Sequence, residues 1–154
     1  MTDKELNILY IDDEVNNLTA FKANFRRYYQ VYTAESAEEG KKILKEKKIH
    51  IIITDQRMPN LTGVEFLASI LSEYPDPIRI LLTGYTDTET VIEAINKGQV
   101  YRYIMKPFNE AELKITLDNA FEVYHLREEN KNLMEQVLLI NEQLEFMLRQ
   151  RLLS

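Results

Sequence analysis

Apolar positions along the chain form two alternating patterns. Short apolar runs at Leu6-Asn7-Ile8-Leu9-Tyr10-Ile11, Gln30 to Ala34, Ile51-Ile52-Ile53-Thr54, Ile78 to Leu82 and Val100 to Met105 read as strands. The run at Ile51 has no polar alternation, as expected of a parallel strand buried on both faces. Between the runs, apolar residues recur at helical spacing: Leu18, Phe21, Ala23 and Phe25 in 15–29, and Val64, Leu67, Ile70 and Leu71 after the Leu61-Thr62-Gly63 turn. Capping-box pairs Ser36/Glu39 and Thr86/Glu89 open two more helices, the first to about Lys47 and the second to Gly98, which suits a C-terminal cap. Asn109 with Glu112 opens the last. Five strands alternating with five helices predict an α/β fold with a parallel sheet, right-handed crossovers and helices on both faces.

The last helical pattern continues well past what one domain needs. Neither glycine nor proline occurs from Leu113 to Ser154. Leu113, Leu117, Ala120 and Phe121 read as the part packed on the sheet. A heptad fits, with Val123, Asn130, Val137, Leu144 and Arg151 at a and Leu126, Leu133, Ile140 and Met147 at d, and beyond Arg127 no domain is left for it to cover. The pattern predicts a folded domain over 1–124 and a helical extension over 125–154, paired as a parallel two-stranded coiled coil with Asn130 fixing its register.

Composition narrows the chemistry. With no cysteine and only two histidines, His50 and His125, thiolate chemistry and histidine-rich zinc sites are excluded. The net charge of −6, and seven acidic against five basic residues over 113–154, argue against a nucleic-acid partner. No apolar run is long enough to span a bilayer and the acidic N-terminus is unlike a signal peptide, so a cytoplasmic protein without a membrane partner is expected.

In open α/β sheets, ligands bind beyond the carboxyl ends of the strands. The predicted strand ends bring Asp12-Asp13, Asp55, Thr83 and Lys106 to that edge. Three carboxylates there call for a hard divalent cation, and Mg²⁺ fits oxygen donors. A carboxylate beside such an ion can accept a phosphoryl group as an acyl phosphate, with Lys106 and the Thr83 hydroxyl toward the phosphoryl oxygens. Each residue taken singly also fits a plainer role: Asp12-Asp13 and Thr83 as caps, Asp55 as a turn residue, Lys106 as a solvated lysine.

Asp12-Asp13, Asp55 followed by Met58-Pro59 and Gly63, Thr83-Gly84, and Lys106-Pro107-Phe108 occur in this order, and over about residues 5–124 the chain resembles the receiver domains of two-component response regulators. The resemblance implies a flavodoxin-like sheet in the order 2-1-3-4-5, with Asp55 as phosphoacceptor for a sensor histidine kinase or phosphotransfer protein. It implies Mg²⁺ held by Asp13, Asp55 and the Arg57 backbone carbonyl, with Asp12 partly through water, and a Lys106–Pro107 bond that is commonly cis. Thr83 and Tyr103 map onto the family's switch, read out on the face of the fourth helix, fifth strand and fifth helix. Such a domain catalyses only its own phosphorylation, and the extended helix would relay the state of Asp55 through dimer geometry.

A phosphate-independent dimerisation scaffold is the alternative, against which the complete acid set counts. A small-molecule phosphohydrolase of the haloacid dehalogenase type requires an acid two residues after the nucleophile, where this chain has Arg57. The Asp-Gln-Arg-Met-Pro run resembles receivers attached to signalling enzymes such as HD-type phosphodiesterases, and the uncapped end at Ser154 fits either a helix that docks elsewhere or a coiled coil that leads into an output domain. The resemblance implies that Arg57 and Tyr85 flank the site, where they would obstruct hydrolytic water. Replacing either with alanine is expected to change the dephosphorylation rate more than the phosphorylation rate; unchanged phosphoryl lifetimes in both variants would refute this.

Overall fold

The computed structural model describes residues 6–84 and 100–154. Among these, the elements run β1 (Asn7–Ile11), α1 (Val15–Phe25), β2 (Gln30–Ala34), α2 (Ala37–Glu46), β3 (Ile51–Asp55), α3 (Gly63–Ile70), β4 (Ile78–Thr83), β5 (Arg102–Met105) and α4 (Glu110–Leu153). All strand pairs are parallel and the order is β2-β1-β3-β4-β5, the flavodoxin-like arrangement expected from the sequence. The helix anticipated from Thr86 to Gly98 lies outside the described residues.

Strand alternation divides the interior in two. Ile8, Tyr10, Ile51, Ile53, Ile78, Ile80 and Leu82 face Leu18, Phe21 and Phe25 of α1 and Leu113, Leu117, Ala120, Phe121 and Tyr124 of α4. Leu9, Ile11, Ile52 and Leu81 face Leu44 of α2 and Phe66, Leu67 and Ile70 of α3. β3 and β4 are buried at every position, as the uninterrupted apolar run of β3 requires.

Several boundaries differ from the sequence reading. α1 stops at Phe25, and the chain turns so that Tyr29 enters the interior just before β2; Ala23 is exposed. The buried face of α3 is Gly63, Phe66, Leu67 and Ile70, leaving Val64 and Leu71 only half-buried. β5 begins at Arg102, two residues later than expected.

α2 is capped by Ser36, whose Oγ accepts from Glu39 N–H (3.2 Å), while the Glu39 carboxylate accepts from Glu35 N–H (2.9 Å), one residue before the cap. Thr62 and Glu65 form a complete capping box at α3. Asn109 Oδ1 accepts from the N–H groups of Ala111 and Glu112 at the start of α4.

His50 lies where α4 leaves the sheet. Its Nδ1 accepts from Asn7 N–H (3.0 Å), and its ring stands edge-on to Tyr124. Burial first, then Lys48 and His125, lowers the pKa of this imidazole. The unfolded chain therefore binds more protons than the folded one as pH falls through about 6.5. Stability is expected to be fully present above that value and to decline below it until the folded group also titrates. Urea midpoints of the protein and of His50→Gln across that range should diverge on the acid side; parallel profiles would refute the assignment.

Candidate functional site

The carboxyl edge of the sheet collects the acids. β1 ends at Ile11 and delivers Asp12 and Asp13, while β3 ends on Asp55 itself. Carboxylate oxygens of these three residues lie within 4.8 Å of one another. Asp12 and Asp55 are buried and Asp13 is exposed, so the group opens to solvent on one side.

Asp12 is held from several directions. Its Oδ2 accepts from the Tyr10 hydroxyl (2.7 Å) and Asn17 Nδ2 (3.1 Å), and its Oδ1 from Glu14 N–H (3.0 Å). The N-cap position of α1 belongs to Glu14, which makes no side-chain cap bond, so Asp12 is not a helix cap. Burial and the hydrogen bond to Asp12 raise the Tyr10 pKa, keeping this hydroxyl a donor.

Lys106 follows β5 and projects between the acids, its Nζ 3.1 Å from Asp55 Oδ1 and 3.5 Å from Asp12 Oδ2. The Lys106–Pro107 peptide is cis. Burial opposes the lysine's charge, but Asp55 and Asp12 outweigh it and its pKa is raised. The Asp55 pKa is raised chiefly by burial, with Lys106 opposing and Asp12 adding to the rise. Lys106 is thus protonated at neutral pH, and its ammonium favours an ionised Asp55.

Thr83 closes β4, is buried, and lies one residue beyond the Asp55–Leu82 pair; its carbonyl accepts from Lys106 N–H (2.9 Å). Tyr103 of β5 pairs in register with Leu81 and its side chain is 45% exposed. Arg57 is exposed beside Asp55, and Tyr85 lies outside the described residues.

Three supporting residues escaped the sequence reading. Tyr10 and Asn17 orient Asp12, and buried Gln56 accepts from Val64 N–H through Oε1 (3.0 Å) while its carbonyl accepts from Gly63 N–H. Tyr10 stands two residues before Asp12, a spacing that puts both on one side of an extended chain. Nothing local marks Asn17 or Gln56.

The arrangement is a buried carboxylate, a lysine ammonium against it and a set of hard-oxygen donors. It has the layout of a phosphoryl-accepting site. The family described as "Response regulator receiver domain" matches residues 8–118. The chain belongs to that family.

The receiver is 37% identical over 127 residues to the hydrogenase transcriptional regulatory protein HoxA of Cupriavidus necator; the match covers 82% of this chain and 26% of that protein. The chain therefore spans about a quarter of the length of such curated relatives. Among solved structures, a response regulator receiver domain protein of Clostridium thermocellum superposes with a TM-score of 0.74 at 35% identity, covering 79% of this chain and 98% of that one. The signal receiver domain of an HD domain-containing protein from Pseudomonas fluorescens gives 0.75 at 31% identity, covering 78% and 97%. The phosphorelay receiver is accordingly the functional class of this chain, in preference to a phosphate-independent scaffold.

Proposed function

We propose that Asp55 is the phosphoacceptor, taking a phosphoryl group from a phosphohistidine of a sensor histidine kinase or phosphotransfer protein. The observation that carries this reading is the Lys106 ammonium 3.1 Å from the Asp55 carboxylate, with Asp12 and Asp13 alongside. One lysine against three carboxylates leaves an excess negative charge of two, which a divalent cation balances, and all three donors are hard oxygens suited to Mg²⁺. Asp12, Asp13, Asp55 and the Arg57 backbone carbonyl would hold the ion. Bound there, Mg²⁺ would neutralise charge on the phosphoryl oxygens.

An Asp55 oxygen attacks phosphorus, a P–O bond forms, and the P–N bond to the donor imidazole breaks. Lys106 holds the ionised acceptor in position and then faces a phosphoryl oxygen. The Tyr10 and Asn17 hydrogen bonds keep Asp12 aimed at the site. A depression of about 420 Å³ lined by Tyr10, Asn17, Phe21, Lys106, Pro107 and Phe108 lies alongside and gives the donor an approach.

Thr83 and Tyr103 form the switch in this reading. The buried hydroxyl moves toward the new phosphoryl group, and the exposed ring turns inward to fill the space. The receiver unit, 1–124, catalyses only its own phosphorylation. The extension, 125–154, forms a parallel homodimer through the a and d positions of α4 and relays the state of Asp55. No helix among the described residues is long and apolar enough to cross a membrane. The receiver works in the cytoplasm without a nucleic-acid or membrane partner of its own.

Intact mass after incubation with Mg²⁺ and acetyl phosphate is expected to rise by one phosphoryl group, and Asp55→Asn should abolish the gain. An equal gain in Asp55→Asn would refute the acceptor assignment. Phosphorylation by an added kinase preparation without retention in that variant would support it, even were acetyl phosphate inert.

A further inference from the structure

From Glu129 onward every residue of α4 is exposed. The parallel dimer proposed above covers positions a and d, which here carry Leu133, Val137, Ile140, Leu144 and Met147. The apolar surface is wider than that seam. Met134 and Leu148 at e and Leu138 at b are each about as exposed as the seam residues, at 60 to 61%. On a heptad wheel d, a, e and b are consecutive, so this apolar arc covers about 150°, with Leu139 and Phe146 at c exposed outside it. A two-stranded coil leaves position b in water. From Lys131 onward the flanks also lack the opposite charges that fix such coils, since e carries Met134, Asn141 and Leu148 and g carries Gln136, Gln143 and Gln150.

Charge placement identifies what covers the second face. Over 131–148 the d–a–e–b arc contains two charged residues, Lys131 and Glu145, both at b and equidistant from Leu138. A parallel neighbour on this face would set lysine against lysine and glutamate against glutamate. An antiparallel neighbour centred on Leu138 sets Lys131 against the neighbour's Glu145, Glu145 against its Lys131, and Leu138 against Leu138.

We propose that α4 associates through both faces with copies of this chain. Parallel pairs form through a and d, and two such pairs pack antiparallel through e and b about Leu138. The product is a four-helix bundle of four copies with dihedral symmetry. Its parallel half rests on the dimer proposed above, whereas the antiparallel half rests on the arc and its two charges.

The chain contains no cysteine, so single cysteines report neighbours without background. Sedimentation equilibrium of the full chain is expected to give four times its 18.2 kDa mass. On mild oxidation, Val137→Cys should cross-link through the parallel seam and Leu138→Cys through the antiparallel one. Lys131→Glu and Glu145→Lys should each weaken association between pairs roughly tenfold, and the double swap should restore it to within roughly threefold, with helicity unchanged by circular dichroism. A dimeric mass with a Val137→Cys cross-link and none for Leu138→Cys would overturn the four-copy bundle and leave the parallel dimer standing. A monomeric mass would overturn both. A dimer cross-linked only through Leu138→Cys would replace the parallel pair with an antiparallel one, and the bundle would fall with it.

Discussion

Lys106→Ala is expected to slow phosphoryl transfer to Asp55 by on the order of 10²-fold or more at saturating Mg²⁺, with the fold intact. The ammonium stands 3.1 Å from Asp55 and 3.5 Å from Asp12. Because the two carboxylates hold its pKa above the ordinary value, it carries its charge throughout the neutral range. Removing it takes away a charge-assisted hydrogen bond already aimed where a phosphoryl oxygen arrives. Lys106→Arg keeps the charge but changes its shape, and is expected to recover only part of the rate. The measurement is the initial rate of mass gain from acetyl phosphate in the three proteins. A rate for Lys106→Ala within about threefold of the parent would limit the lysine to balancing the carboxylates, since a transition-state donor is worth far more than that.

The second large effect is on stability. Gly63→Ala is expected to cost about 2–3 kcal/mol and to lower phosphorylation with it. Gly63 begins α3 and is buried, and its N–H donates to the Gln56 carbonyl (3.0 Å). A Cβ there would run into the backbone carbonyl oxygen of Asp55 and come within 2.9 Å of Leu81 Cδ1. Backbone cannot swing aside as a side chain does, so relief must come from moving the end of β3 at Asp55 or the connection from it to α3.

Gly40→Ala is the control. Its Cβ would approach Ile11 Cδ1 at 2.7 Å, but that is the end of a side chain, and alanine is favoured over glycine within a helix by about 1 kcal/mol. Urea unfolding should show a lower midpoint at unchanged slope for Gly63→Ala and little change for Gly40→Ala. Equal midpoints for the two variants would refute the argument.

Much of this was legible in the sequence, because the features concerned are periodic or local. The isoleucine run of β3, the 3–4 spacing on α4 and the turn residues announce a parallel sheet with covered faces. Acids and a lysine at strand ends announce the site. What escaped depends on closure in three dimensions. Asn17 looks like any polar residue of an amphipathic helix until α1 docks and brings Nδ2 to 3.1 Å from Asp12. Gln56 follows Asp55 with no local sign that its amide oxygen would receive Val64 N–H. The face of α3 was misjudged for another reason. Val64 and Leu71 are as apolar as their neighbours, and only packing against Ile11, Ile52 and Leu81 selects Phe66, Leu67 and Ile70. Thr62 and Glu65, by contrast, carry a plain capping-box signature that overlaps the Leu61-Thr62-Gly63 turn.

The unbroken course of α4 has a mechanical consequence. Its first turns belong to the core, with Leu113, Leu117, Ala120, Phe121 and Tyr124 buried, while the same hydrogen-bonded helix continues to Leu153. From Tyr124 to that end it reaches about 43 Å at about 1.5 Å per residue. A rigid rod of that length is a lever whose fulcrum is the packed face. A tilt of about 5° at the fulcrum, which a small repacking of the core can produce, displaces the far end sideways by about 4 Å, close to half the roughly 8–10 Å between packed helix axes. A change of side-chain packing around the sheet would therefore appear at a distance as a sideways swing of the helix end, carried along one unbroken helix.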